Sequence, residues 1–150
     1  MPVQAHDDAG IGPDEVLIRR INPAEHVVPD ENIGGYRLST KAFSSSSQPP
    51  YGMSVDVLGL MLVAGISPQD FVTSPKYIAS VKFTAGAARA TGLWVGFDPI
   101  LDDGINLANP YHAEVWSQPN PAQKFTKSQQ RALMKASDWF VAIPDVEIVR

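Results

Sequence analysis

The stretch KYIASVKFTAGAARATGLWVGFDP, residues 76–99, decides the fold class. Tyr77, Ala79, Val81 and Phe83 alternate with Ile78, Ser80 and Lys82, the two-residue period of a strand. TAGAARATG then predicts a short helix, capped by Thr84 and closed by Gly92. LWVGFDP is a second strand, ended by Pro99. Such a unit could open a parallel α/β fold, but only if similar units surround it.

They do not. Upstream, VLIRRI (Val16–Ile21) is a strand core, followed by the turn-rich INPAEHVVPDENIGG with Pro23, Pro29, Gly34 and Gly35 as breakers. YRLSTKAF (36–43) reads as extended and runs into the low-complexity loop SSSSQPPYG. MSVDVLGLML (Met53–Leu62) starts by alternating Met53, Val55 and Val57 against Ser54 and Asp56. Its continuation, apolar on both faces, suits a central strand or a turn into the core. SPQDFV predicts one helical turn with Ser67 as N-cap and Pro68 next to it. Downstream come a loop, the strand YHAEVW, and a final helix in SQQRALMKASDWFV. There Ala132, Leu133, Ala136, Trp139 and Phe140 fall at helical spacing until Pro144. The expectation is an α+β fold, a mixed and mostly antiparallel sheet with two or three helices packed on one side of it. Residues 1–13 read as a flexible leader and 14–150 as a single domain without internal repeats.

The chain has 150 residues, 44% apolar and 19% charged, enough for one domain with a proper core. The formal net charge is -4, and Arg19-Arg20 is the one adjacent basic pair. Nucleic acid is therefore not expected as a partner, since phosphate backbones are held by clustered Lys and Arg. There is no cysteine, which excludes thiol nucleophiles, cysteine zinc sites, iron–sulfur clusters and disulfides. The N-terminus is polar and acidic, unlike a signal peptide. The longest apolar run, Val57–Ile66, is half the roughly 20 residues a membrane span requires. A cytoplasmic protein without membrane contact is expected.

NPYHAEVW (109–116) places His112 and Glu114 on one face of a strand. Such a pair can do acid–base work or give two ligands to a divalent ion. With His6 in the leader and His26 in a loop, no metal centre is expected, although Asp98, Asp102 and Asp103 lie just upstream as oxygen donors. The plain reading is a solvated sheet face. VLIRRI puts Arg19 and Arg20 on opposite faces, so one of them turns inward and needs a carboxylate or a bound anion. Ser39, Thr40 and Ser54 are small donors on neighbouring segments. No G-x-S-x-G elbow is present, GMSVD lacking the second glycine, and Gly86 and Gly92 do not fit a phosphate loop.

Arg19, then Ser39-Thr40, then Glu114 resembles the layout of ADP-ribosyltransferases. That likeness implies NAD held by Arg19, Ser39 and Thr40, with Glu114 orienting the ribose; the residues themselves add Ser54 as a further cofactor-binding donor and His112 as a second catalytic candidate beside Glu114. HAE departs from the family's Gln/Glu-x-Glu form. Over residues 15–142, VLIRRI, RLSTKAF, MSVDV, the TAGAARATG–LWVGFDP unit and NPYHAEV are together similar to a family of small bacterial proteins. These share R-L-S-x-x-A-F and P-x-H-A segments and have no assigned activity. This likeness implies a bacterial, cytosolic single domain and transfers no catalytic residue. Two functions are expected in order. The first is an accessory domain without catalysis or cofactor that binds a protein partner, acting beside a toxin or defence enzyme, with self-association left open. The alternative is a NAD-using enzyme with its cleft at Arg19, Ser39, Thr40, Ser54, His112 and Glu114.

Overall fold

The computed structural model describes residues 4–73, 77–105, 108–118 and 123–149. The elements in chain order are β1 (Val16–Ile21), α1 (Pro23–His26), β2 (Val27–Asp30), β3 (Gly35–Leu38), a 3-10 helix (Thr40–Phe43), β4 (Met53–Val57), α2 (Leu58–Val63), α3 (Pro68–Thr73), β5 (Ala79–Thr84), α4 (Ala85–Ala90), β6 (Leu93–Phe97), β7 (His112–Ser117), α5 (Lys127–Ala136), β8 (Asp138–Val141) and β9 (Val146–Glu147). Six strands form the main sheet in the order β6-β7-β4-β1-β5-β8, every neighbouring pair antiparallel. A small sheet, β2-β3-β9, joins β2 to β3 antiparallel and β3 to β9 parallel. The fold is α+β with a mostly antiparallel sheet, as the strand-rich order of elements suggests.

The helices do not sit on one side, and β1 shows why. Leu17 and Ile18 are both fully buried although they point to opposite faces, so each face of the central strand needs cover. Leu17 joins the main core with Phe43 of the 3-10 helix, Ala85 and Ala88 of α4 and Leu133 of α5. Ile18 joins a smaller core with Met61 of α2 and Val72 of α3. The apolar run after Val57 is thus helix α2, not further strand. Its Gly59 N–H donates to Glu15 Oε1 at 2.9 Å, so a carboxylate satisfies one of the unpaired donors of the helix start.

The final helix is shorter than its periodicity predicts. It begins with a capping box at Thr126 and Gln129 and ends at Ala136. The Ser137 hydroxyl donates to Leu133 O at 2.7 Å, and the chain turns into β8, pairing Trp139 with Val81 on β5. Trp139 and Phe140 matched helical spacing because Trp139 falls three residues after Ala136. As β-favouring aromatics they fit the half-buried edge of the sheet equally well.

Within the leader, Asp7, Asp8 and Ile11 are held to the sheet. Asp8 N donates to Val95 O at 2.8 Å, Val95 N donates to Asp7 Oδ1 at 3.0 Å, and Ile11 is 1% exposed. Arg89 ties the segment down, donating to Asp7 Oδ1 (3.0 Å), Ile11 O (2.7 Å) and Asp8 O (2.9 Å). No helix among the described residues is long and apolar enough to cross a membrane. Arg89→Ala strips Ile11 O of its donor and takes one of two donors from Asp7 Oδ1 and from Asp8 O, and should cost about 1–3 kcal/mol. A fall in urea midpoint together with new proteolytic cleavage near residues 4–13 is the expected outcome.

Candidate functional site

The register of β4 between its neighbours assembles a polar strip on the face that also carries Ile18. Asp56 pairs with Ile18 on β1 and with His112 on β7, and Ser54 pairs with Glu114. Gly96 on β6 pairs with Glu114, and Asp98 N donates to His112 O at 3.0 Å just past that strand. Side chains directly opposite in an antiparallel pair share a face. Asp98, His112, Glu114, Ser54 and Asp56 therefore gather, while Met53, Val55, Ala113 and Val115 face the main core.

Within the strip, Asp56 is already neutralised. Arg20 Nε donates to its Oδ2 at 3.0 Å and Asn109 Nδ2 to its Oδ1 at 2.8 Å. The Arg20 guanidinium lies over the Phe71 ring, 5.2 Å from its centroid. Of the adjacent arginines it is thus Arg20, not Arg19, that shares a face with His112 and Glu114.

His112, Glu114 and Asp98 are less fully satisfied. His112 Nδ1 lies 2.6 Å from Asp98 O. A carbonyl only accepts, so Nδ1 carries the hydrogen and neutral His112 presents a bare lone pair at Nε2. That nitrogen faces Glu114 Oε1 at 3.8 Å, and Asp98 Oδ2 is 3.6 Å from Nδ1. Glu114 Oε1 accepts from the Ser54 hydroxyl at 3.4 Å, whereas Oε2 is buried without a donor among the described residues. Burial first, and then Asp98, push the Glu114 carboxyl above the usual carboxylate range, against the opposing pull of His112, Arg19 and the Ser54 hydroxyl. One atom from each of Asp98, His112 and Glu114 lies within 4.8 Å of the other two. One glycine makes room for the group and a second for the His6 ring beside Trp116. A Cβ on Gly52 would come 2.7 Å from Glu114 Oε2, and one on Gly96 would strike the His6 ring at 2.5 Å. His6 in turn packs on Trp116, the ring centroids 5.1 Å apart.

The other residues singled out from the sequence lie elsewhere. Leu17 and Ile21 point into the main core, so Arg19 on the same side of β1 is on the opposite face from Glu114. Its Nε donates to Ala42 O at 2.9 Å and Nη1 to Ser54 O at 3.0 Å. Ser39 is the N-cap of the 3-10 helix, accepting from Lys41 N, and Thr40 Oγ1 accepts from Lys127 Nζ at 2.9 Å. Ser54, His112 and Glu114 come together; Arg19 reaches Ser54 O from the other face of the sheet and feels the Glu114 charge, while Ser39 and Thr40 bond elsewhere. Asp56, Arg20 and Asn109 belong to the strip, and alternation along MSVDV and VLIRRI was the signal that could have flagged the first two. Compared with protein families, curated proteins and solved structures, the chain finds no match.

A carboxyl whose pKa is raised by folding favours the fold while protonated and loses that advantage as pH rises through its folded pKa. Glu114→Gln keeps the shape and removes the buried charge. Without added metal, the variant should unfold a few degrees higher than the parent at about pH 8 and converge with it near pH 4. Thermal scans across that range check this, and a variant less stable at pH 8 would contradict the buried-charge account.

Proposed function

We propose that this domain binds a divalent transition-metal ion through Asp98, His112 and Glu114. The observation that carries the reading is the gathering of one ligand atom each from Asp98, His112 and Glu114 within 4.8 Å of one another, with Glu114 Oε2 buried and without a donor among the described residues. His112 Nε2 and Glu114 Oε1, two acceptors 3.8 Å apart, repel unless a proton or a cation lies between them. Around a tetrahedral ion at about 2.1 Å, ligand atoms sit roughly 3.4 Å apart, so the gap needs to close by a few tenths of an ångström. The Nδ1–H donated to a backbone carbonyl is the outer support that metal-bound histidines commonly use. One imidazole and two carboxylates suit Zn²⁺, Mn²⁺ or Fe²⁺ better than soft-ligand metals. Three protein ligands leave a coordination position open, as in catalytic rather than structural zinc sites.

The test is thermal unfolding of the full chain after chelator treatment, titrated with Zn²⁺ and with Mn²⁺. An ion at 100 times its dissociation constant adds about 2.7 kcal/mol, a rise of several degrees in a domain of this size. The rise should vanish in His112→Ala and in Glu114→Gln. An equal rise in those variants and the parent would sink the proposal.

A second reading keeps the domain as a partner-binding accessory module in a bacterial cytosol. It is favoured by Leu62 and Val63 at the end of α2, which are 60% and 89% exposed, since exposed apolar groups mark contact surfaces when they lie together. Leu62→Asp with Val63→Asp should leave folding intact and abolish capture of the partner; undiminished capture would remove this surface. Against the ADP-ribosyl-transfer reading stands the placement of Ser39 and Thr40, which respectively cap the 3-10 helix and accept from Lys127 rather than face Glu114.

A further inference from the structure

The opposite face of the sheet carries a cavity of about 770 Å³ whose lining includes Arg19, His26, Lys41, Ser44, Ser45 and Ser46. We propose that it binds a small phosphorylated molecule, the phosphate held by Arg19, Lys41 and the hydroxyls of Ser44, Ser45 and Ser46. These groups share one property: each has a hydrogen left to give.

Arg19 spends Nε and Nη1 on the carbonyls of Ala42 and Ser54, and Nη2 has no partner among the described residues. No carboxylate lies within ion-pair distance of it there; the opposing charges of Glu114 and Asp56 act on it from further off, and a partly buried guanidinium has room for a closer anion. Lys41 is exposed and its ammonium likewise has no partner among those residues. The three serine oxygens act as acceptors. Ser44 accepts from Gln130 Nε2 (3.5 Å), Ser45 from Phe125 N (3.1 Å) and Ser46 from Gln48 N (3.2 Å). A hydroxyl that accepts still has its own proton to donate. His26 follows the same pattern. Its Nδ1 accepts from Asn22 N at 3.0 Å, which leaves the hydrogen on Nε2. Burial, with the charge of Arg19 adding to it, pushes His26 down to about 4 against the pull of Glu25, so it stays neutral near pH 7. Glu25, the one carboxylate of the lining, is on an exposed residue.

Phosphate is favoured over carboxylate by the donor geometry. Nε and Nη1 belong to the two different forks of the guanidinium, Nε–Nη2 and Nη1–Nη2, and each already donates to a carbonyl, so the two-pronged grip that suits a planar carboxylate is diminished on both. Several donors of different origin suit the three acceptor oxygens of a phosphate monoester. The volume, within the range of small-molecule sites, leaves room for a sugar or base beyond the phosphate. The loop 44–52 is closed by Ser46 N donating to Gly52 O at 2.8 Å, which sets the serine run around the cavity.

The experiment is calorimetric titration of the full chain with inorganic phosphate, ribose 5-phosphate and malonate at constant ionic strength. Saturable binding of both phosphates, tighter for the sugar phosphate, is expected, with Lys41→Ala and Ser44→Ala each weakening it about tenfold. Both variants should keep the parent unfolding temperature and the parent response to Zn²⁺, since they lie on the other face from His112. Malonate binding as tightly as phosphate, no saturable phosphate binding, or full affinity in both variants would each overturn the proposal. Arg19→Lys should also lose affinity, but the two serine and lysine variants decide the matter if it folds poorly.

Discussion

Everything in this molecule hangs on the place of β4 between β1 and β7. Antiparallel pairing on both edges fixes which side each residue of Met53–Val57 faces, and a shift of one residue would exchange the two faces entirely. The apolar set Met53, Val55 and Val57 is what makes such a shift costly, because all three are at most 2% exposed in the main core. Burial of those side chains, each contributing about 1.5–3 kcal/mol, holds Ser54 and Asp56 opposite Glu114 and His112. The polar strip is a by-product of apolar packing on the reverse side.

The two faces that result are chemically opposed. One gathers carboxylates and a histidine lone pair, acceptors with too few donors, around His112 and Glu114. The other gathers donors with too few acceptors, around Arg19 and the serine loop. The proposed cation and anion sites answer these two imbalances, one on each face. Buried polar groups are normally satisfied within a protein; Glu114 Oε2 is an exception on the strip, whereas the donors around Arg19 are partly or fully open to solvent, where water serves them until an anion takes its place. Asp56 is the instructive contrast: equally a carboxylate in the same strip, it is fully engaged by Arg20 and Asn109 and calls for nothing more.

Much of the fold was legible in the chain because it rests on local periodicity. Alternation located β1, β4, β5, β6 and β7, and the small-residue run after Thr84 located α4. Two places misled. The apolar run after Val57 has no alternation to betray its helix, and Trp139 and Phe140 continued a helical spacing that β5 claims for a strand. A two-residue period says that Arg19 and Arg20 differ in face but not which of the two shares the face of Glu114. His112 and Glu114 were found together for the opposite reason, since both lie on one strand.

The sequence by itself determined the class of fold, the absence of thiol chemistry, and the side-by-side placement of His112 with Glu114, each a matter of composition or of spacing within one strand. Only the tertiary structure decided that Asp98 joins them, that Asp56 is spoken for by Arg20, and that Arg19 serves a cavity with serines 44 to 46. These relations join strands and loops tens of residues apart, and strand order is settled by the summed burial of whole faces rather than by any local pattern.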